Sequence, residues 1–373
     1  MTEAKSSGVS YTQTIRDTVL LEVYNLRMWF AHRSGLLGQN VRYVKAVDDI
    51  SFFIRRGETL GLVGESGCGK TTVGRCVVRA YKPTAGKILY YKDTTPQPDS
   101  SGIDSQQAVD LAQLERKDLR QYRQEIRMIF QDPYASLNPR MTILDIVGEV
   151  LKVNHLASGS ELEDRVTELL RRVGLRPEYL RRYPHAFSGG ERQRIVIART
   201  LATNPRLIVA DEAISALDVS IRAQILNLLE DLQAELGLTY LFIAHDLSVV
   251  RHICDRVSVM YVGKLVEVAD ATTLYAYPKH PYTEALMSAV PIHDPRLRDK
   301  GRRIQLEGDV ADPSNPPSGC YFHPRCRYAQ EICRHEEPSL RLIDSDNGST
   351  EHFVACHFAE ELSLRGVIYS QGD

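Results

Sequence analysis

A chain of 373 residues has room for one large and one small domain, and 43% hydrophobic with 25% charged content is ordinary for a globular protein. A formal charge of −2 leaves no electrostatic footprint for nucleic acid. The longest apolar runs are strand-sized, far short of a membrane span, and Met1–Ser7 lacks the apolar core of a signal peptide, so any membrane role is expected to come through a partner.

Residues 1–18 are polar and read as a flexible N-terminus. Leu20–Leu26 and Tyr43–Ile54 read as strands, the second alternating in part (Val44, Ala46, Ile50, Phe52, Ile54). Thr59–Val63 is a short apolar strand running straight into Gly64. Asp93–Gln113, with Pro96, Pro98 and Gly102, reads as an exposed loop, and the basic residues of Glu115–Arg127 as a solvated helix face. Arg127–Phe130 is the next strand. Glu161–Val173 has helical spacing and stops at Gly174. Leu207–Ala210 and Tyr240–Ala244 are continuous apolar runs, as in strands covered on both faces. Between them Ile221–Leu236 is an amphipathic helix that begins after Ser220 and ends at Gly237.

This alternation predicts an α/β fold around a parallel sheet. Four of its strands run out into Gly64, Gln131, Asp211 and His245. Ligands of open parallel sheets sit beyond the strand carboxyl ends, so these four are expected to meet at one site.

The segment Gly64-Glu65-Ser66-Gly67-Cys68-Gly69-Lys70-Thr71, followed by Thr72, fits the phosphate-binding pattern G-x-x-x-x-G-K-S/T. Its glycines let successive N–H groups turn toward phosphate oxygens, and the helix behind it adds partial positive charge. Lys70 is placed to reach the β- and γ-phosphates of ATP and the Thr71 hydroxyl to ligate Mg2+. Cys68, at a variable position, is expected to face away from the chemistry. Asp211 and Glu212 end a buried strand, which suits a water-mediated Mg2+ partner and a base for the attacking water. One strand further on, His245 suits a γ-phosphate contact. Gln131 suits Mg2+ and water, with a plain turn glutamine as the alternative. Ser188-Gly189-Gly190-Glu191-Arg192-Gln193 opens another helix, offering a hydroxyl, close backbone approach and a helix N-terminus. A merely structural capping turn is the other reading there.

Taken in order, Gln131, Ser188–Gln193, Asp211-Glu212, Ser215-Ala216-Leu217-Asp218 and His245 resemble the Q-loop, signature, Walker B, D-loop and H-loop of ABC ATPases. The resemblance implies an ABC-type P-loop domain over 19–275, with a parallel-sheet core, an antiparallel β-subdomain and a helical subdomain. It also implies a second ATPase subunit, a relative or a copy, closing head to tail over two ATPs. Ser188, Gly189, Gly190, Glu191 and Gln193 then meet the nucleotide held by the partner. The family stacks adenine on an aromatic residue; Phe30 is the first choice, Trp29 and Tyr43 are rivals, and a core aromatic is the alternative. Glu191 stands where the family usually has glutamine, Ala213 where proline often follows the acidic pair, and Ala186 where an acid is frequent. None of these removes a group needed for phosphate, metal or water.

Beyond residue 275 the resemblance narrows. His280-Pro281-Tyr282-Thr283 and then Pro313–Pro317 lead into a cysteine-bearing extension, 276–373, similar to that of ATPases serving peptide and nickel importers. Gln131–Pro139 fits the same subfamily, and Gly35–Gly38 is more like the second of its two ATPases. Cys320, Cys326, Cys333 and Cys356 contain no C-x2-C pair, so the usual zinc-ribbon spacing fails. The resemblance implies a 4Fe–4S cluster on these four, with Zn2+ or no metal as alternatives. His323, His335, His352 and His357 are expected at the surface.

The implied function is that of an ATP-hydrolysing motor for di- or oligopeptide import. It would sit at the cytoplasmic face of the membrane with two permease subunits and, outside, a solute-binding protein. Nickel or glutathione as solute, and a soluble ABC ATPase of the translation or DNA-repair type, are the alternatives. The stretch between Lys70 and Ser188 lacks the sustained heptads that a repair ATPase would need.

Overall fold

The computed structural model describes residues 18–34, 40–92, 108–215, 217–290, 303–343 and 351–367. The expected flexible N-terminus (apart from residue 18) and the Gly35–Gly38 segment lie outside them. The strands, in chain order, are β1 (Val19–Ser34), β2 (Asn40–Arg55), β3 (Thr59–Val63), β4 (Ala85–Tyr91), β5 (Ala108–Asp110), β6 (Ile126–Ile129), β7 (Leu207–Asp211), β8 (Thr239–Ile243), β9 (Arg256–Tyr261), β10 (Lys264–Asp270), β11 (Arg341–Ile343) and β12 (His352–Val354).

Eight of them form the main sheet in the order β11-β12-β10-β9-β3-β8-β7-β6. The five from β9 to β6 run parallel, so their carboxyl ends share one edge. Side chains alternate across these strands, which explains the uninterrupted apolar runs. Leu207, Val209, Leu241 and Ile243 pack on one face with Val73 and Cys76 of the helix Lys70–Val77. Ile208, Ala210, Tyr240 and Phe242 pack on the other, against the helices Gly189–Leu201 and Val219–Leu236. Each fully buried aliphatic side chain of this kind contributes about 1.5–3 kcal/mol.

A second, antiparallel sheet has the order β2-β1-β4-β5. Its two long strands pair from Val19↔Arg55 out to Ser34↔Asn40, well past the apolar stretches that mark them in the sequence. Exposed Phe30 and Val41 interrupt the alternation there, and backbone pairing rather than side-chain pattern carries the strands on. The expected 93–113 loop also contains β5, with Leu111 and Ala112 buried behind it; residues 93–107 lie outside the described part. The helices Ile143–Val153 and Gly159–Arg172 pack with Gly189–Leu201, and their apolar faces are continuous with the core on that side of the main sheet.

The extension beyond residue 275 is not a separate body hung from this core. β12 pairs with β10, and β11 with β12, so the tail continues the main sheet antiparallel. Glu267 on β10 is wholly buried, and such a carboxylate needs partners. It accepts the N–H groups of Lys279 at 2.6 Å and His280 at 2.9 Å, and it meets His352 Nε2 at 2.7 Å. His352, expected at the surface, is therefore an interior residue that ties the tail to the sheet.

Candidate active site

The loop Gly64–Gly69 joins β3 to the helix Lys70–Val77, and two of its glycines are sterically required. A Cβ on Gly64, whose φ is 151°, would stand 2.1 Å from the Met260 carbonyl oxygen. One on Gly69, at φ 110°, would stand equally close to that of Ala46. The loop is thus pressed against neighbouring backbone on its outer side, which fixes the direction of its inner side. Lys70 is buried, and its Nζ donates to the carbonyls of Gly64 at 2.7 Å and Glu65 at 2.9 Å. A buried ammonium satisfied by loop carbonyls is poised to exchange them for phosphate oxygens of higher charge. Ser66 and Gly67 are exposed, whereas Cys68 is buried with its Sγ 3.6 Å from Lys70 Nζ. The thiol therefore lies against the lysine instead of facing away, and burial pushes its pKa up.

Next to the loop, the Thr71 hydroxyl donates to Asp211 Oδ1 at 2.9 Å. Burial raises the Asp211 carboxyl above the usual carboxylate range, with the Thr71 hydrogen bond opposing it and Glu212 reinforcing it. These two oxygens suit a hard divalent cation, and Mg2+ with its retained waters fits such a one-carboxylate, one-hydroxyl set. Thr72 sits half-buried in the same helical turn.

Glu212 is the centre of the arrangement. Its backbone adopts φ 48°, in the left-handed region that a non-glycine residue enters only at a cost. Its N–H is pinned to the carbonyl of Ile243 at the end of β8, 2.9 Å away. The resulting kink turns the carboxylate outward, where Oε2 accepts from Gln131 Nε2 at 2.6 Å and Oε1 lies 3.5 Å from His245 Nδ1. Residues following β6, β7 and β8 thus converge at one sheet edge, as the strand-end pattern predicts. A carboxylate held between an amide donor and an imidazole, beside a cation-ready pair, can orient and polarise a water.

The remaining predicted residues lie around this mouth. Ser215 donates from its hydroxyl to the Glu212 carbonyl at 2.9 Å, and Asp218 precedes the helix Val219–Leu236; Ala216 lies outside the described residues. Leu217 is buried 3.6 Å from where a Cβ on Gly189 would be. Ser188 closes a capping box: its Oγ accepts the Glu191 N–H at 3.3 Å, while Glu191 Oε2 accepts from the Ser188 N–H at 2.9 Å. Ser188 remains exposed, and Gly190 is packed so closely that an added Cβ would meet Ile221 Cγ2 at 2.5 Å. Gln193 is fully buried within its own subunit, beneath this cap. Phe30 is 36% exposed and stands edge-on to Tyr81, whereas Trp29 is tied through Nε1 to Asp48 at 3.1 Å.

Two tail residues that motif reading missed touch the phosphate-type loop directly. Arg325 grips the Glu65 carboxylate through its two terminal guanidinium nitrogens, and Tyr282 Oη accepts the Glu65 N–H. A signal existed, because an acidic side chain inside an anion-binding loop calls for a cation partner. Nothing in the local sequence says which one.

The cysteines require a correction. Cys320, Cys326, Cys333 and Cys356 do come together, lining one cavity with Phe322 and Tyr328, but that cavity measures about 20 Å³, the room of a single water. Among the described residues no group of His, Cys, Asp or Glu is arranged to hold a metal ion. Burial, with smaller contributions from the neighbouring thiols, pushes Cys320 up to about 12 and Cys356 up to about 11. With no arranged ligand set among the described residues and so little room between the four side chains, neither the 4Fe–4S cluster nor the Zn2+ alternative is supported. Cys320 and Cys326 instead pack against the core beside Phe322 as small apolar groups.

Comparison with known proteins decides the family. Residues 47–215 match the ABC transporter family and residues 266–333 the oligopeptide/dipeptide transporter C-terminal region. The chain is 50% identical over 339 residues to the oligopeptide transport ATP-binding protein AppF of Bacillus subtilis, covering 91% of this chain and 97% of that one. The chain belongs to the ABC transporter ATP-binding subunits. It is 49% identical to a putative oligopeptide transport ATP-binding protein, YkfD, of the same organism, over 92% of this chain and 96% of that one. A probable peptide ABC transporter ATP-binding protein of Sinorhizobium fredii shares 47% identity, with 91% and 89% covered. Among solved structures, the dimeric ATP-binding cassette MJ0796, in a post-hydrolysis state bound to ADP and Pi, aligns with a TM-score of 0.55 at 27% identity, covering 68% of this chain and 99% of that one. The cbiO1 subunit of a Clostridium perfringens transporter aligns at 0.56 and 26% identity, with 69% and 91% covered. This ABC subunit is an ATPase coupled to transport. No described helix is long and apolar enough to cross a membrane.

Proposed function

We propose that the chain is the ATP-hydrolysing motor of a di- or oligopeptide importer, bound peripherally to the membrane through permease subunits. The observation that carries the chemistry is the Glu212 carboxylate, held by Gln131 and His245 at the mouth beside Thr71 and Asp211. The peptide class is supported by the relatives named above, whose names describe oligopeptide or peptide transport.

In this reading the backbone of Gly64–Gly69 and Lys70 bind the phosphates, and Thr71, Asp211 and Gln131 hold Mg2+, which neutralises charge on the β- and γ-oxygens. Glu212 orients the attacking water and takes its proton, while His245 contacts the γ-phosphate. Phe30 offers an exposed ring for adenine. Ser188 and Gly190, set on a capped helix N-terminus, complete the site of a second ATPase subunit, with Leu217 and Asp218 alongside. Two permease subunits and an external solute-binding protein make up the rest of the assembly.

The test is affinity purification of the tagged chain from detergent-solubilised membranes of its own host. The expected result is co-purification of two membrane subunits and a second ATPase, with peptide-stimulated hydrolysis after reconstitution. Recovery of the chain alone, or hydrolysis stimulated by nickel and not by peptides, would overturn the assignment.

A further inference from the structure

Glu65 places a carboxylate inside a loop built to attract anions, an arrangement that opposes phosphate binding unless the charge is compensated. The compensation comes from 260 residues downstream. Arg325 Nη1 donates to Glu65 Oε2 at 2.7 Å and Nη2 donates to Oε1 at 3.2 Å, with the Arg325 side chain 7% exposed. Such a two-point, desolvated guanidinium–carboxylate pair is specific in geometry as well as charge. Tyr282, itself fully buried, accepts the Glu65 N–H at 2.8 Å. Tyr261, Tyr282 and Phe322 form a mutually packed aromatic group, and the Arg325 guanidinium lies 6.0 Å from the Tyr261 ring centroid. On the loop's other flank the Gly263 N–H donates to the Cys68 carbonyl at 2.9 Å. The loop is thereby held at Glu65 and at Cys68, and both of these contacts at Glu65 come from the C-terminal extension.

We propose that Arg325 and Tyr282 are positioning residues of the ATP site. Arg325 cancels the Glu65 charge and Tyr282 fixes the peptide that begins the loop, so the extension sets how well the loop receives a triphosphate. This rests on the reading of Gly64–Thr71 as the ATP phosphate loop. By linkage, bound nucleotide must tighten the Glu65–Arg325 pair as much as the pair tightens nucleotide.

The experiment is a double-mutant cycle on the full-length chain, read by fluorescence titration with mant-ATP and Mg2+ and by steady-state hydrolysis. Arg325→Met leaves a bare carboxylate beside the loop. It is expected to weaken nucleotide binding about tenfold and to raise KM far more than it lowers kcat. Glu65→Gln alone is expected to change affinity by less than about threefold, and the double variant to return to within about threefold of Glu65→Gln. Arg325→Lys, which keeps the charge, is expected to fall between Arg325→Met and wild type. A double variant as weak as Arg325→Met, or Arg325→Met binding like wild type, overturns the proposal. Should Arg325→Met fail to fold, the decision falls to Arg325→Lys with and without Glu65→Gln. There a lysine penalty that survives removal of the Glu65 charge sinks the idea. Wild-type protein that binds no mant-ATP would instead sink the reading of the loop itself, and the two failures are told apart by that control.

Discussion

Two clusters of polar side chains, both gathered from distant parts of the chain, behave in opposite ways. At the carboxyl edge of the parallel strands, Gln131, Glu212 and His245 face one another at an open mouth, His245 with 58% of its side chain exposed. In the extension the four cysteines are turned inward around a space no larger than a water molecule. The first cluster stands on strand ends whose positions the sheet dictates, so residue identity and place together specify chemistry. The second stands on short turns, a five-residue helix and the end of a three-residue strand, and its Cys320 and Cys326 pack against the core that includes Phe322, where cysteine is a small apolar side chain. Spacing in sequence is informative only where the fold fixes the positions at which the residues emerge.

The contrast can be broken or sharpened by experiment. The largest effect is expected at the open mouth: Glu212→Gln should lower ATP turnover by about 10²–10⁴-fold while leaving MgATP binding intact, measured by hydrolysis and nucleotide titration. Unimpaired turnover would remove the base role proposed for Glu212. Next comes Gly190→Ala at the capped helix, where the new methyl meets Ile221. A destabilisation of about 1–3 kcal/mol in urea melts is expected, relieved in part in an Ile221→Ala background, which lacks the clashing Cγ2 methyl.

A smaller effect is expected from His280, which burial holds at about 3 and whose Nδ1 accepts the Tyr282 N–H at 3.1 Å. The unfolded state, titrating near ~6.5, binds the proton that the folded state refuses. Stability should therefore be flat above that pH and fall below it, by at most about 1.4 kcal/mol per pH unit. His280→Asn should flatten the acid limb of a Tm-against-pH curve, and an unchanged slope would clear His280 of the effect. Smallest of all, Cys320, held up at about 12, should resist alkylation by iodoacetamide at pH 8 in the folded chain and react fully in urea. Rapid labelling of the native protein would show that burial does not shield the Cys320 thiol.

Much of the architecture and most of the mouth were legible because each functional residue follows an apolar run of strand length. Gly64 after Thr59–Val63, Asp211 ending Leu207–Asp211 and His245 after Thr239–Ile243 needed no knowledge of distant contacts. What escaped were the pairings that only tertiary structure creates. Arg325 and Tyr282 sit in turns and short helices with no periodicity, and their target is far back in the chain. β11 and β12 are three residues each, too short to alternate. His352 looked like a surface residue because its buried partner, Glu267, belongs to a strand defined by its apolar neighbours. The cysteines misled for the converse reason, since composition alone does not separate thiolate ligands from buried thiols.

The pairing of β12 onto β10 has a consequence for the solution behaviour of the chain. Five of the seven residues of β10, Leu265–Ala269, are buried, and without the tail one row of its backbone donors and acceptors would face solvent beside an apolar surface. Such a rim recruits strands from other molecules. With the tail in place the sheet terminates in a three-residue strand, whose Arg341 is engaged by Glu360. A version shortened before residue 341 should accordingly form aggregates rather than a smaller soluble cassette.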